Sequence, residues 1–275
     1  MIVVSAASGA FGRLVVEQLL TRIPAKDIVL AVRSPESVAG FAARGIQIRR
    51  GDYDVPDSLP TAFEGADRLL LISSPELDSV RRTGHHKAAV DAARKVGVGA
   101  VVYTSFLDAD TKADGVAAAH HVTERTLRDS GLGHTVLRHP FYSEAFINAG
   151  LTAAVAEGEL WDGTDGRGIN TASRADLAEA AARVLTEDGH LDRAYDFTGA
   201  RWTYPELAEV LTQVYGKSVR YRQRPEPAPG VQGWLEDQAR SGALERQTDD
   251  LGHVLGRPPT PLHQAVRELV PASGS

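Results

Sequence analysis

Short apolar runs alternate with helical apolar periodicity through the first half of the chain. The apolar runs fall at residues 1–4, 27–32, 46–48, 68–72, 100–104 and 135–137. The helical stretches fall near residues 12–22, 36–44, 57–64, 79–96 and 117–130. Continuous apolar runs of this length are typical of strands buried on both faces of a parallel sheet. Their alternation with helices predicts an α/β fold, a doubly wound parallel sheet of the Rossmann type.

The pattern changes at Pro140, where long apolar runs give way to a glycine-rich stretch. Beyond it, Ser173 is placed to cap a helix, and Thr203 with Glu206 has the spacing of a capping box. The remaining elements are predicted at 195–198 (a strand) and near 232–246 and 261–270 (helices). The second half is therefore expected to form a more irregular structure than the first.

This change of pattern divides the 275-residue chain into two predicted domains. Residues 1–139 are expected to form a dinucleotide-binding, Rossmann-like domain. Residues 140–275 are expected to form a smaller C-terminal substrate lobe, within which residues 170–200 return to the Rossmann core.

A turn of small residues, Ser5 to Gly12, joins the first predicted strand to the first predicted helix. Such a turn brings backbone amides at a helix N-terminus to the pyrophosphate of a dinucleotide. The residues expected there are Ser8, Gly9, Ala10, Phe11 and Gly12. Ala6 stands where this motif ordinarily has its first glycine. An alanine is tolerable at that place if its φ is negative and costly if its φ is positive.

Arg33 follows the second predicted strand, at the position whose side chain determines whether the fold binds NAD or NADP. An acid there accepts the 2′-hydroxyl of NAD, whereas an arginine accommodates the 2′-phosphate of NADP. No acid follows this strand until Glu36, so Arg33 predicts NADPH as the cofactor. A solvated surface arginine is the alternative, and Arg13 is a weaker second candidate for a phosphate ligand.

Polar residues follow two further predicted strands. Ser73 and Ser74 end one of them, and Thr104 ends the next. Because the carboxyl ends of parallel strands line the ligand crevice in this fold, these side chains are expected at the nicotinamide half of the cofactor. Ordinary turn chemistry is an equally good interpretation of Ser74 with Pro75.

Several segments resemble the NmrA-like branch of the atypical short-chain dehydrogenases/reductases, and within it the bacterial NAD(P)H:quinone oxidoreductase and triphenylmethane reductase group. The segments are 52–54, 69–74, 102–105, 137–138 with Tyr142, and 250–262. The resemblance implies an NADP(H)-binding fold and hydride transfer to quinones or dyes. It also implies that the stretch from Arg138 through His139 to Tyr142 borders the nicotinamide end. The chain departs from the pattern of this group at Ala6, Ala119 and His139.

The proton donor of ordinary short-chain dehydrogenases is absent, since none of the seven tyrosines is followed four residues later by a lysine. A quinone forms a delocalised hydroquinone anion that takes its proton from water, so this absence favours quinone-like acceptors or no catalysis. His120 and Glu124 share one helical face. His120 is predicted to face the substrate with Tyr142 and to donate a proton, because histidine titrates near neutrality. An exposed pair on a helix surface is the alternative.

Composition limits the partners and the compartment. The chain has no cysteine and a net charge of −6, which exclude thiolate metal sites and argue against a general affinity for nucleic acid. The histidine doublets at 85–86 and 120–121 lack metal-ligand spacing, so no metal is expected. No apolar stretch reaches the roughly 20 residues of a membrane span, and no signal peptide is visible. We expect a cytoplasmic protein with no membrane partner; a homodimer is compatible with the sequence.

Three functions remain open at this point. The first is an NADPH-dependent reductase that transfers hydride to a quinone or another small planar aromatic acceptor. The second is a non-catalytic NADP(H)-binding sensor that regulates a partner. The third is a cofactor-independent protein that binds or transforms an aromatic metabolite on the same fold.

Overall fold

The computed structural model describes residues 1–226 and 228–271. The strands are β1 (Ile2–Ser5), β2 (Ile28–Val32), β3 (Gln47–Arg50), β4 (Arg68–Leu71), β5 (Ala100–Phe106), β6 (Gly133–His139), β7 (Phe141–Tyr142), β8 (Glu159–Asp162), β9 (Ile169–Ala172), β10 (Ala194–Asp196), β11 (Arg201–Trp202) and β12 (Arg220–Gln223). The helices are α1 (Ala10–Leu20), α2 (Ala39–Ala42), α3 (Leu59–Phe63), α4 (Ser79–Lys95), α5 (Ala117–Asp129), α6 (Leu151–Glu157), α7 (Arg174–Thr186), α8 (Tyr204–Tyr215), α9 (Gly230–Arg240), α10 (Asp250–Leu255) and α11 (Leu262–Leu269).

The chain forms two compact units. The first consists of Met1–His139 and Leu177–Asp196, and the second of Pro140–Asp176 with the chain from Phe197 onward. The assignment of these units to cofactor and substrate stays a prediction.

A parallel sheet forms the centre of the first unit. Within the described residues it has seven strands, in the order β10, β6, β5, β4, β1, β2, β3. Strand β1 pairs with β2 on one side and with β4 on the other, so the crossovers run in opposite directions from β1. Such a switch leaves a crevice at the carboxyl ends of the strands. The predicted doubly wound Rossmann-like fold is confirmed.

Continuous burial explains why the predicted strands form. All five residues of β2 and all four of β1 are buried, as apolar runs covered on both faces require. One side of the sheet packs its Leu69 and Tyr103 against buried alanines and Val90 of α4, in a cluster that extends to Leu127 of α5. The face thus covered positions α4 and α5 above the ends of β4 and β5.

Two predicted helices of the first half are shorter than expected. The stretch near 36–44 is a 3₁₀ turn at Pro35–Val38 followed by the single turn of α2. The stretch near 57–64 opens with a 3₁₀ turn at Pro56–Ser58 before α3. Both begin with a proline, which fixes the first turn but supplies no amide to continue the ladder.

The second unit combines two small sheets with helices. Strand β9 pairs in parallel with β7 and antiparallel with β11, and β12 pairs in parallel with β8. The capping box at α8 is confirmed, since Glu206 N–H donates to Thr203 Oγ1 and Thr203 N–H donates to Glu206 Oε2. Phe146, Trp202 and Leu211 belong to its buried core.

Candidate functional site

The glycine turn after β1 has the geometry of an anion cradle. A Cβ on Gly12 would lie 2.8 Å from the Cα of Ala7, so only glycine lets α1 approach the turn this closely. A Cβ on Gly9 would meet the carbonyl of Ala6 at an ordinary 3.6 Å, so the protein itself does not require glycine there. Gly9 is exposed and is the N-cap of α1. A glycine that only a ligand would need fits the close approach of a pyrophosphate.

The first turn of α1 leaves its amides available to such an anion. Among the described residues, no side chain caps this helix, and its first turn contains no acid. Ser8 contributes to the turn by its carbonyl, which accepts from Arg13 Nε at 2.9 Å, and Arg13 Nη2 donates to the carbonyl of Ser37 at 2.6 Å. Arg13 therefore holds the turn in place through backbone contacts.

Ala6 adopts a φ of +49°, in the left-handed region. Its carbonyl accepts from Gly9 N–H at 3.2 Å, which closes the turn. A Cβ in this region costs roughly 1–2 kcal/mol. Ala6 therefore has the positive φ, the conformation that is costly for an alanine.

An Ala6→Gly variant is expected to be more stable than the wild type by up to about 1 kcal/mol, because relief of this strain exceeds the added flexibility of the unfolded chain. The same change at Ala10, the first residue of α1, is expected to destabilise by up to about 1 kcal/mol. Urea unfolding of both variants measures the two signs. Equal shifts in both variants would show that the turn is not strained.

Arg33 lies directly after β2 and is exposed. Within residues 1–226 and 228–271, its guanidinium makes no hydrogen bond or ion pair. The planar group is available for a phosphate, as its predicted role requires.

Hydroxyl groups join the ends of neighbouring strands in the first unit. Ser73 N–H donates to Thr104 Oγ1 at 2.9 Å, so the structure brings these two predicted residues together. Ser5 Oγ accepts from Ile72 N–H at 2.9 Å, and Tyr53 O–H donates to the carbonyl of Ile72 at 2.7 Å. These bonds fix the backbone at the rim of the crevice. Ser5 and Tyr53 were not predicted as site residues.

Ser74 is buried beneath that rim and contacts two histidines of α4. Its N–H donates to His86 Nε2 at 2.9 Å, and its Oγ lies 2.9 Å from His85 Nδ1. His85 Nε2 in turn lies 3.1 Å from Asp54 Oδ1. The histidine doublet therefore positions the loop after β4.

A buried chain of hydrogen bonds leads from His86 to His120. Because His86 Nε2 accepts from Ser74, its proton is on Nδ1, which donates to Thr123 Oγ1 at 2.8 Å. Tyr103 Oη lies 2.8 Å from His120 Nδ1, and we assign Tyr103 as the donor of this hydrogen bond. This pattern assigns the remaining proton of His120 to Nε2. Among the described residues, none accepts a hydrogen bond from that Nε2.

The predicted role of His120 as an acid that titrates near neutrality is wrong. His120 is 4 % exposed, and burial lowers its pKa to about 3; the positive charge of Arg82 acts in the same direction. The imidazole is therefore neutral at physiological pH. It can still donate a hydrogen bond from Nε2. The alternative of an exposed helix pair is also wrong, since Glu124 is 2 % exposed.

Arg138 is held by carboxylates. Its Nε and Nη2 donate to the two oxygens of Glu124 at 2.9 and 2.8 Å, and its Nη1 lies 3.2 Å from both Asp110 and Asp196. Ser105 Oγ adds a donor to Glu124 at 2.6 Å. This network links α5, β6 and β10. Arg138 therefore has a structural role that the resemblance did not indicate, and its predicted contact with the cofactor stays a prediction.

His139 and Phe11 contact each other at the edge of the glycine turn. Their rings meet edge to face, with centroids 5.3 Å apart, and both side chains are buried. Burial lowers the pKa of His139 to about 3, so it too is neutral. The ring contact positions the first turn of α1. Phe11 is left to bind an anion only through its backbone amide.

Tyr142 belongs to the second unit. Its ring packs under the Arg174 guanidinium at 4.6 Å, and burial raises its pKa. The same unit contains a cavity of about 390 Å³ with aromatic walls from Phe146, Trp161 and Tyr204. The predicted pairing of Tyr142 with His120 stays a prediction.

Residues 1–226 and 228–271 contain neither a metal-binding cluster nor a membrane-spanning helix. No three His, Asp or Glu side chains come together in a way that could hold a metal ion. None of the helices combines the length and the apolarity that crossing a membrane requires.

Comparison with known proteins gives the family. A family model described as NAD(P)H-binding matches residues 6–188. Quinone oxidoreductase 2 of Escherichia coli is 38% identical over 98% of this chain and 98% of its own length. An NmrA-like family domain-containing oxidoreductase of Aspergillus flavus is 30% identical over 97% and 94%. The chain belongs to the NAD(P)H-binding, NmrA-like family, as the resemblance indicated.

Solved structures agree. The triphenylmethane reductase of Citrobacter sp. in complex with NADP(H) superposes with a TM-score of 0.92 at 33% identity, covering 98% of this chain and 99% of that one. An NADPH-dependent quinone oxidoreductase of Escherichia coli in complex with NADPH gives a TM-score of 0.87 at 35% identity, with the same coverage. The predicted class of cofactor is confirmed by these matches. The individual contact residues remain predictions.

Proposed function

We propose that this protein is an NADPH-dependent reductase that transfers hydride to a quinone or another planar conjugated acceptor. The observation that carries the proposal is the glycine turn. Its helix-terminal amides are not capped by a side chain, and the packing of the protein itself would tolerate a Cβ at Gly9, so both features fit the binding of a dinucleotide pyrophosphate. The names and bound cofactors of the relatives support the same reaction.

The residues of the first unit divide the binding of NADPH between them. The amides of Ala10, Phe11 and Gly12 bind the pyrophosphate, and Arg33 pairs with the 2′-phosphate. Ser73 and Thr104 line the nicotinamide half. When bound, the cofactor supplies a hydride. The protein's contribution is to hold donor and acceptor face to face.

His120 serves this reaction as a neutral hydrogen-bond donor. Its Nε2–H polarises the acceptor carbonyl, and the proton that completes the product comes from water. The lowered pKa of His120 suits this role, because a neutral imidazole donates a hydrogen bond without first taking up a proton. Tyr103 maintains the required tautomer by its bond to Nδ1.

A mixture of the protein, NADPH and 1,4-benzoquinone tests the proposal by the loss of cofactor absorbance. Turnover that requires the protein supports the reductase. Saturable NADPH binding without turnover of benzoquinone or of a triphenylmethane dye contradicts it and supports the sensor. Absence of saturable NADPH binding, followed by cofactor fluorescence, supports the cofactor-independent alternative.

An Arg33→Asp variant is expected to raise the Kd for NADPH by about 100-fold, since it removes a charge-assisted pair and adds repulsion. The Kd for NADH is expected to change less than about threefold, because NADH lacks the 2′-phosphate. Fluorescence titration measures both constants. Arg128→Asp, an equal charge change on the exposed face of α5, is the control and should leave both unaltered. Equal weakening of both cofactors would remove Arg33 from this role.

A further inference from the structure

Arg82 is a half-buried arginine of α4. It lies in the first turn of α4 beside Arg81, which pairs with both Asp54 and Glu76. Among residues 1–226 and 228–271, by contrast, none makes a hydrogen bond or an ion pair with the Arg82 side chain, and its Nε is buried. The two adjacent arginines of α4 thus differ: Arg81 is paired with carboxylates and Arg82, among the described residues, is not.

The neighbours of Arg82 leave its charge uncompensated. Arg82 precedes His86 by one helical turn, on the face of α4 that packs against α5. Its charge contributes to the low pKa of both His86 and His120, after burial. Both imidazoles are therefore neutral beside it, and Tyr103 is protonated because burial raises its pKa. A partly buried cation among neutral donors is unfavourable unless an anion joins it.

We propose that Arg82 is a catalytic residue which, together with the Nε2–H of His120, binds the oxygen anion that forms on the electron acceptor. This inference rests on the proposed reductase function. Hydride transfer oxidises the nicotinamide and adds two electrons and one hydrogen nucleus to the quinone. The quinone becomes a hydroquinone monoanion, and a proton from water neutralises it. Arg82 and His120 stabilise the negative charge before that proton arrives.

The position of Arg82 favours the acceptor over the phosphates of the cofactor. Arg82 lies one helical turn before His86, whose ring centroid is 5.5 Å from that of Tyr103 and 6.0 Å from that of His120. The glycine turn instead follows β1 and is served by its own amides. Arg82 is therefore expected to act on the reaction and to have little effect on the affinity for NADPH.

Kinetics of three variants test this assignment. Arg82→Gln is expected to lower kcat/KM for 1,4-benzoquinone by about 100-fold, as loss of one such donor does elsewhere. Its Kd for NADPH should stay within about threefold of the wild type. Arg82→Lys should recover part of the loss, because a positive charge is restored. Arg81→Gln is the matched control and should keep wild-type kinetics. An unchanged kcat/KM in Arg82→Gln, or a loss explained by a raised Kd for NADPH, would overturn the assignment.

Binding of a planar aromatic anion provides a readout that is independent of turnover. In the presence of NADP⁺, 4-nitrophenolate is expected to bind the wild type and Arg81→Gln alike, and Arg82→Gln at least about tenfold more weakly. Neutral nitrobenzene should bind all three proteins equally. If the wild type reduces no quinone but shows this pattern, the reductase proposal fails while the anion site stands. If the anion binds the wild type and Arg82→Gln equally, or binds neither, the anion site fails whatever the turnover.

Discussion

The unfolding free energy of this protein is expected to fall steeply as the pH is lowered from about 6.5 to 5. Burial depresses the pKa of His86, His120 and His139 to about 3 in the folded chain. The unfolded chain protonates the same histidines below about pH 6.5 and therefore binds more protons than the folded chain. Each histidine then removes about 1.4 kcal/mol per pH unit, and the three together about 4 kcal/mol. This stabilisation is complete above pH 6.5 and is lost as the pH falls toward 3.

Urea unfolding between pH 5 and 7 measures this slope. Carboxyls such as Asp54, whose pKa is lowered first of all by its bond to Arg81, titrate below this window. His190, whose pKa burial also lowers, adds a smaller contribution. His120→Gln should reduce the slope by about 1.4 kcal/mol per pH unit, whereas His263→Gln, on an exposed site, should not. A wild-type curve that is flat over this range would mean that the buried histidines are charged in the folded protein.

The centre of the sheet in the first unit could be predicted because strands β1, β2, β4 and β5 each carry their own signal. The apolar run 27–32 became β2 at Ile28–Val32, and the run 68–72 became β4 at Arg68–Leu71. Burial on both faces demands apolar residues at every position, which is visible without any partner. The glycine turn could be located for the same reason, since all of its residues are consecutive.

The small strands of the second unit carry no such signal. Strands β7 and β11 have two residues each, too few to show a period of two. Strand β8 buries Leu160 and leaves Trp161 exposed, in a stretch that has the composition of a loop. These strands form only because they pair with other strands in the folded chain, and such pairing is a tertiary interaction that the local sequence does not show.

The buried histidine chain escaped prediction for a related reason. His86, Tyr103 and His120 lie on a helix, a strand and a second helix, and only the packing of α4 and α5 on the sheet brings them together. Helical spacing did place His120 and Glu124 on one face. It could not tell that this face is buried, and burial is what changes the chemistry of His120 from proton transfer to hydrogen bonding.

Arg138→Met is expected to lower the unfolding free energy by about 3–5 kcal/mol, since it leaves Glu124 buried and charged without its partner. Glu124 is 2 % exposed and would keep only the hydroxyl of Ser105 among its present donors. The double variant Arg138→Met with Glu124→Leu should recover most of the loss, because an apolar pair of similar volume often replaces a buried ion pair without cost. Urea unfolding at pH 7 compares the two.

Arg81→Met controls for the loss of an arginine that is paired but exposed. Its ion pairs with Asp54 and Glu76 lie at the surface, where water and salt screen them, so the unfolding free energy should stay close to that of the wild type. Comparison of the two variants therefore separates two effects on the unfolding free energy: leaving a buried carboxylate without its partner, and losing one positive charge. The resemblance to the reductase group suggested that Arg138 contacts the cofactor, and that role makes the opposite prediction: weak NADPH binding at unaltered stability. Unfolding that is unchanged in Arg138→Met, together with a raised Kd for NADPH, would return Arg138 to the cofactor site.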